Sequence, residues 1–155
     1  MSETIPDELP SSLKASLTSG DVTLRLIRRV DADAERGLVS YYHFRIMAHG
    51  DLDIGHINFR VGDTAHVTLY AGHIGFEIKE CFRGHGYALQ ACRAMASFVR
   101  SIYKSVIITC DPDNHASRLT IERLGARFIN EIAVSENDPQ HARGSRIKRR
   151  YEWEP

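Results

Sequence analysis

Apolar and polar residues alternate from Val22 to Arg29, with Val22, Leu24 and Leu26 set against Thr23, Arg25 and Ile27, the period-two signal of a half-buried strand. The same alternation returns from Tyr41 to His49, where Tyr42, Phe44, Ile46 and Ala48 oppose Tyr41, His43, Arg45, Met47 and His49. His49-Gly50-Asp51 supplies turn residues, and Ile54, Ile57 and Phe59 belong to a third strand, so the pair predicts a hairpin. Gly62-Asp63 closes that strand, and a fourth runs from Gly72 to Ile78. From Gly86 the period changes: Ala88, Cys92, Met95, Val99 and Ile102 form the apolar stripe of an amphipathic helix. Ser105 to Cys110 predicts a buried strand, and Asp111-Pro112-Asp113-Asn114 offers turn and capping chemistry for a second helix that stops at Gly125. Two further strands, Arg127 to Val134 and Ser145 to Trp153, flank a polar loop with Asn137, Asp138 and Pro139. The predicted order is four strands, helix, strand, helix, two strands.

At 155 residues the chain has the length of one compact domain. Residues 1–20, with Pro6, Pro10, Gly20 and a short helical pattern at Leu13 and Leu17, are expected to form a tail or loosely docked arm; residues 21–155 form the domain. Twenty basic residues balance twenty acidic ones, which argues against a nucleic-acid binder. The first twenty residues carry Glu3, Asp7, Glu8 and Lys14 and no apolar stretch of leader length, and no run approaches the ~20 residues that span a bilayer. Cys81, Cys92 and Cys110 make an odd count without C-x-x-C spacing, expected to be reduced thiols. A cytoplasmic location with neither membrane nor nucleic acid as partner is therefore expected.

The segment Cys81-Phe82-Arg83-Gly84-His85-Gly86-Tyr87-Ala88 lies between a strand and a long helix. Two glycines there can expose consecutive N–H groups at a helix start, an arrangement that attracts phosphate, or can simply make a tight turn. A Walker loop needs Gly-Lys followed by Ser or Thr, and a Rossmann fingerprint needs glycine where Leu89 stands, so neither nucleotide motif fits.

Arg83, Gly86 and Ala88 match the acyl-CoA motif of the GNAT superfamily of N-acetyltransferases, in which Arg or Gln is followed by two residues, Gly, one residue, and Gly or Ala. Asn114 and Ser117, followed by Ile121-Glu122-Arg123-Leu124-Gly125, resemble the family's second signature, and the order of elements agrees. The resemblance covers about residues 55–132 and extends to a subgroup of predicted acetyltransferases with no assigned substrate. It implies an α/β (α+β) fold with a mixed, mostly antiparallel sheet, helices on both faces, and a splay between the fourth and fifth strands that admits acyl-CoA. It also implies that the pantetheine arm lies beside Phe76, Glu77 and Ile78, and that the pyrophosphate meets N–H groups between Gly84 and Leu89, with Arg83, His85, Gly86, Tyr87 and Ala88 in that set. Asn114 reaches the pantetheine or thiol side with Ser117 nearby, or Asn114 serves locally as an N-cap.

Family members often carry a tyrosine seven positions after the signature asparagine, where it protonates the leaving thiolate. Here that position is Ile121, so protonation falls to water or to another residue such as Tyr70. At pH 7 an α-amino group of pKa ~7.8 is about one-seventh neutral, whereas a lysine-like amine of pKa ~10.4 is neutral in about one molecule in 2,500. The need for a base thus depends on the acceptor. His73 sits where many members place a carboxylate base, and period two puts it on one face with Glu77. These two are the candidate catalytic residues, with a histidine bonded inside the sheet as the other reading of His73. His56, Asn58 and Arg60 share a face of the third strand. No compact metal-ligand spacing is present, and no metal is expected. The stretch from His141 to Pro155, with Arg143, Arg146, Lys148, Arg149 and Arg150 against Glu152 and Glu154, reads as a solvated strand face, or as a collector of CoA phosphates or an acidic substrate.

The expected activity is transfer of an acetyl group from acetyl-CoA, as cosubstrate, to a primary amine of a small molecule or a protein N-terminus. The thioester carbonyl would be polarised by a strand N–H near Glu77. The rival is a non-catalytic acyl-CoA-binding module. A homodimer is left open, and the sequence names neither the amine nor the acyl chain preferred.

Overall fold

In the computed structural model, which describes Leu9 and residues 17–155, the alternating segments become strands where the pattern places them. Strands β1 (Thr18–Ser19), β2 (Val22–Val30), β3 (Ser40–Ala48), β4 (Leu52–Val61) and β5 (Ile74–Ile78) lie side by side in that order, each antiparallel to its neighbour. Tyr42, Phe44, Ile46, Ile57 and Phe59 are fully buried on one face of this sheet. Helix α1 (Tyr87–Arg100) covers that face with Cys92, Met95 and Val99 of the expected stripe, joined by Ala91, Ala94 and Phe98. The Phe98 ring meets those of Tyr42, Phe59 and Phe44 edge-on at centroid distances of 4.9, 5.3 and 6.2 Å. Such pairs contribute about 0.5–1.5 kcal/mol each beyond their burial. Burial also pushes the Cys92 thiol up to about 12, so it packs as a small apolar group. All three cysteines are free.

The remaining strands form a second antiparallel sheet in the order β6 (Val106–Cys110), β8 (Ile147–Trp153), β7 (Arg127–Ala133). Val106, Ile108, Tyr151 and Trp153 are buried and extend the core. Helix α2 (His115–Arg123) buries Ile121, and Glu122 accepts a hydrogen bond from the Tyr151 hydroxyl at 3.1 Å. A π-helical turn, His66–Ala71, lies across the other face: the Tyr70 and Thr68 carbonyls accept from the Thr109 hydroxyl at 2.7 Å and the Arg150 guanidinium at 3.0 Å. Helical turns thus flank both faces of this sheet, as the resemblance implies. Alternation did not signal the π-helical turn, the two-residue β1, or the short helix α3 (Pro139–Ala142), whose N-cap is Asp138. No helix among the described residues is long and apolar enough to cross a membrane.

The splay expected between the fourth and fifth predicted strands falls between β5 and β6. Between β5 and β6 the backbone link is the His73 N–H donating to the Ile107 carbonyl at 2.7 Å, and the two strands belong to separate sheets beyond it. Among the described residues of the first twenty, Leu9 and Leu17 are buried in the core, and β1 pairs with β2. The helical pattern at Leu13 lies outside the described residues.

Candidate active site

Where the sheets part, the C-terminal end of β5, the turn after it, the first turn of α1 and one side of α2 enclose a cavity of about 410 Å³, a size suited to a small-molecule ligand. Its β5 wall is Phe76, Glu77 and Ile78. Register fixes which backbone groups face it. The Arg60 N–H bonds to the His73 carbonyl and the Lys79 N–H to the Ile54 carbonyl, so that beyond His73, whose own N–H turns to β6, the odd-numbered residues Gly75, Glu77 and Lys79 turn toward β4. By alternation the N–H groups of Phe76 and Ile78 turn toward the splay.

The turn is fastened to the strand by Arg83, whose Nε donates to the Ile78 carbonyl at 2.8 Å and whose guanidinium lies 3.9 Å from the Glu77 carboxylate. Gly86 is the N-cap of α1 in the left-handed conformation (φ 76°), with no side-chain cap; Gly84 is left-handed as well (φ 86°). A Cβ at either glycine would meet nothing within 4 Å, so the turn borders open space. The Gln90 N–H closes the first helical bond on the Gly86 carbonyl, which leaves the N–H groups of Tyr87, Ala88 and Leu89 to point out of the helix end. Open space, free donors and the positive end of the helix dipole together fit a phosphate group.

Across the cavity, Asn114 caps α2, its Oδ1 accepting from the Ser117 N–H at 3.2 Å. Asn114→Ala is therefore expected to lower stability by about 1 kcal/mol through loss of the cap. Thermal unfolding of the variant without ligand checks this; a melting curve equal to the parent's would remove the cap role.

Of the twelve residues named from sequence for acyl-CoA, eleven line this cavity; His85 instead packs its ring beside that of Tyr87 at 5.6 Å. Phe82, Ala116, Leu119, Thr120 and Arg123 also line it and were not foreseen. Three of them follow from helical geometry, because a helix that presents Ala116 presents 119, 120 and 123 on the same side.

Of the two readings of His73, its position is that of the histidine bonded inside the sheet and not that of a base facing the cavity. It is buried, its Nδ1 accepts from the Ile107 N–H at 2.9 Å, and its Nε2 donates to Asp63 at 3.0 Å. Both ring nitrogens are engaged, the ring packs on Tyr103 at 4.9 Å, and His73 is not among the residues lining the cavity. It serves instead to join β5 to β6, its neutral tautomer supplying one acceptor and one donor. Tyr70 is likewise absent from the lining, and Ile121 is fully buried. Glu77 does line the cavity, and its register partner on β4 is His56. Residues directly opposite on one sheet face have Cβ atoms about 5 Å apart. His56 is half-buried and its ring makes no hydrogen bond among the described residues; its neighbour His43, at 5.5 Å between rings, bonds Asn58 at 2.6 Å. Burial, then the nearby His43 and Arg45, hold the His56 imidazolium below its ordinary pKa, against weaker opposing pulls from Glu77 and Asp53.

The basic C-terminal stretch is largely consumed locally. Lys148 pairs with Asp111 at 2.8 Å and Arg149 with Glu131 at 2.7 Å, while Arg146 and Arg150 donate to the carbonyls of His141 and Thr68. Among the described residues no group of three or more potential metal ligands comes together.

A profile of the acetyltransferase (GNAT) domain matches residues 12–127, and the chain belongs to the GNAT acetyltransferase family. Among solved structures, the fold is similar to that of a Salmonella typhimurium acetyltransferase that modifies the N-terminal serine of the 50S ribosomal protein L7/L12. The two are 20% identical with a TM-score of 0.57, over 78% of this chain and 66% of that one. It is also similar to the microcin C7 self-immunity acetyltransferase MccE, solved with acetyl-CoA and AMP (20% identity, TM-score 0.55, 74% of this chain and 61% of that one). A Bacillus anthracis GNAT-family acetyltransferase gives 23% identity and a TM-score of 0.54, over 71% of this chain and 64% of that one. The chain therefore spans about two thirds or less of these three proteins. No curated protein sequence matches it.

Proposed function

We propose that the protein is an N-acetyltransferase that moves the acetyl group of acetyl-CoA to a primary amine. The observation that carries this reading is the cavity itself: a strand wall with outward N–H groups meets an uncapped helix start bordered by two left-handed glycines. The similar MccE structure contains acetyl-CoA. The pantetheine amides extend along β5 as an added strand, the pyrophosphate sits on the N–H groups of residues 87–89, and the thioester carbonyl accepts from the N–H of Phe76 or Ile78.

The amine enters from the polar sheet face, where Glu77 attracts the ammonium and the free imidazole of His56 takes its proton. The neutral nitrogen then attacks the thioester carbon, forming the C–N bond of the amide as the C–S bond breaks. The thiolate of CoA takes up a proton from solvent, and the second amine proton is released, so the products are the N-acetylated amine and CoA thiol. His56, which like His73 does not itself line the cavity, replaces it in this role because its ring nitrogens have no hydrogen-bond partner among the described residues and it stands opposite Glu77, which does line it.

Acetyl-CoA turnover against a panel of small primary amines, lysine peptides and peptides with free N-termini tests the reading. Release of CoA thiol matched by N-acetylated product is expected with at least one class. Tight acetyl-CoA binding with no transfer to any amine would instead establish a non-catalytic binding module.

A further inference from the structure

The polar face of the first sheet carries a second charge centre, along the strand from His56 and Glu77. Arg60 follows His56 and Asn58 on one face of β4. One terminal nitrogen of its guanidinium donates to the carbonyls of Gly72 at 3.2 Å and Ala71 at 3.4 Å. The group lies over β5 in the room left by a glycine: a Cβ on Gly75 would come within 3.1 and 3.2 Å of its two terminal nitrogens. Arg60 is only partly accessible, yet among the described residues no carboxylate pairs with it. The charge nearest in effect is another cation, Arg143, and burial together with Arg143 works against its protonated form.

A guanidinium offers five N–H donors and stays charged in proteins, and a half-desolvated cation with no counter-ion costs free energy that an anion would relieve. Gly75, under the guanidinium, precedes Glu77 by two residues, about 7 Å along an extended strand. An anion on Arg60 and an amine at Glu77 are thus one short molecule apart. We infer that Arg60 binds the carboxylate of the acceptor, so that the acceptor is a short amino acid whose amine lies between His56 and Glu77. The planar fork of arginine suits a carboxylate held by two parallel bonds, and Gly75 keeps that fork flat on the strand. This rests on the transfer reading above.

The test compares glycine, β-alanine and 4-aminobutyrate with their carboxamides, which keep the amine and the size but lack the charge. At least one acid is expected to exceed its amide tenfold in kcat/KM. Arg60→Gln should erase that preference by raising KM for the acid at least tenfold, and the exposed Arg143→Gln should reduce it less. Binding is read separately: with CoA present, N-acetyl-β-alanine should shift the Arg60 Nε–H resonance and bind at least tenfold more tightly than N-acetyl-β-alaninamide. Equal use of acids and amides, or equal binding of the two N-acetyl compounds, overturns the assignment. Selective carboxylate binding without turnover of any amine keeps the Arg60 site and overturns the transfer reading. If Arg60→Gln fails to fold, the parent's acid-to-amide ratio and the Arg60 resonance decide alone.

Discussion

Replacing Gly86 with glutamate is expected to lower acetyl-CoA affinity at least 100-fold while leaving the chain folded. Three effects add at this position. The left-handed backbone at φ 76° costs a side-chain-bearing residue about 1–2 kcal/mol. The new side chain enters the open space beside the helix start, where a Cβ meets no protein atom within 4 Å, and so competes with ligand and not with the core. Its carboxylate then places negative charge at the N-terminus of α1, satisfying the N–H groups that a phosphate would use. Calorimetric titration with acetyl-CoA measures the loss, and thermal unfolding confirms the fold. Gly86→Ala carries the backbone cost without the charge and should fall between parent and Gly86→Glu. If Gly86→Glu binds acetyl-CoA as the parent does, the phosphates do not sit on this turn.

His56→Gln should lower kcat/KM for a lysine-like amine by roughly 10² to 10⁴, the usual contribution of a positioned general base, with acetyl-CoA affinity nearly unchanged. The direction of its pKa sets the pH window. Burial disfavours the imidazolium, so the folded-state pKa lies below the ordinary 6.5 and the imidazole is the free base at neutral pH. The parent's rate should accordingly rise with pH through a value under 6.5, and His56→Gln should lose that limb, since glutamine keeps polarity and approximate bulk but cannot take the proton. An amine of pKa near ~7.8 should show a smaller loss, because more of it is already neutral. His73→Gln is the informative contrast. It removes the partner of Asp63 and the acceptor of the Ile107 N–H, so it should lower the melting temperature while keeping the limb below 6.5. If the limb vanishes in His73→Gln and survives in His56→Gln, the base is His73.

Much of the frame was legible because alternation and helical spacing report burial directly. Most of the apolar face of β3 and of the stripe of α1 appears in the structure: Tyr42, Phe44, Ile46 and Ala48 are buried, as are Cys92, Met95 and Val99, while a register shift after Ile46 buries Met47 as well and Ile102 falls beyond the helix end. The turn from Arg83 to Ala88 was legible for a different reason, since glycines at a strand-to-helix junction have few uses. The π-helical turn at His66–Ala71 was not legible, because its register is held by side chains distant in sequence, Thr109 and Arg150. For His73 the sequence offered two posts, a base beside Glu77 or a ring bonded inside the sheet, and could not choose between them, because its partners Ile107 and Asp63 are coupled to it by no local pattern.

The sequence by itself determined which residues are apolar on one side of each strand and helix, where the chain turns, and that Gly84 and Gly86 precede a helix. These are short-range properties, set by the steric limits of each residue and by the spacing of side chains along one element. The tertiary structure decided the rest. It opened the cleft by holding β5 to β6 at His73 and leaving the two sheets unpaired beyond it. It set His56 opposite Glu77, and it laid Arg60 over Gly75. Each of these depends on strand register and on contacts between residues far apart in the chain. A shift of one residue in pairing would turn every side chain to the opposite face, so only the assembled sheet specifies which polar groups meet.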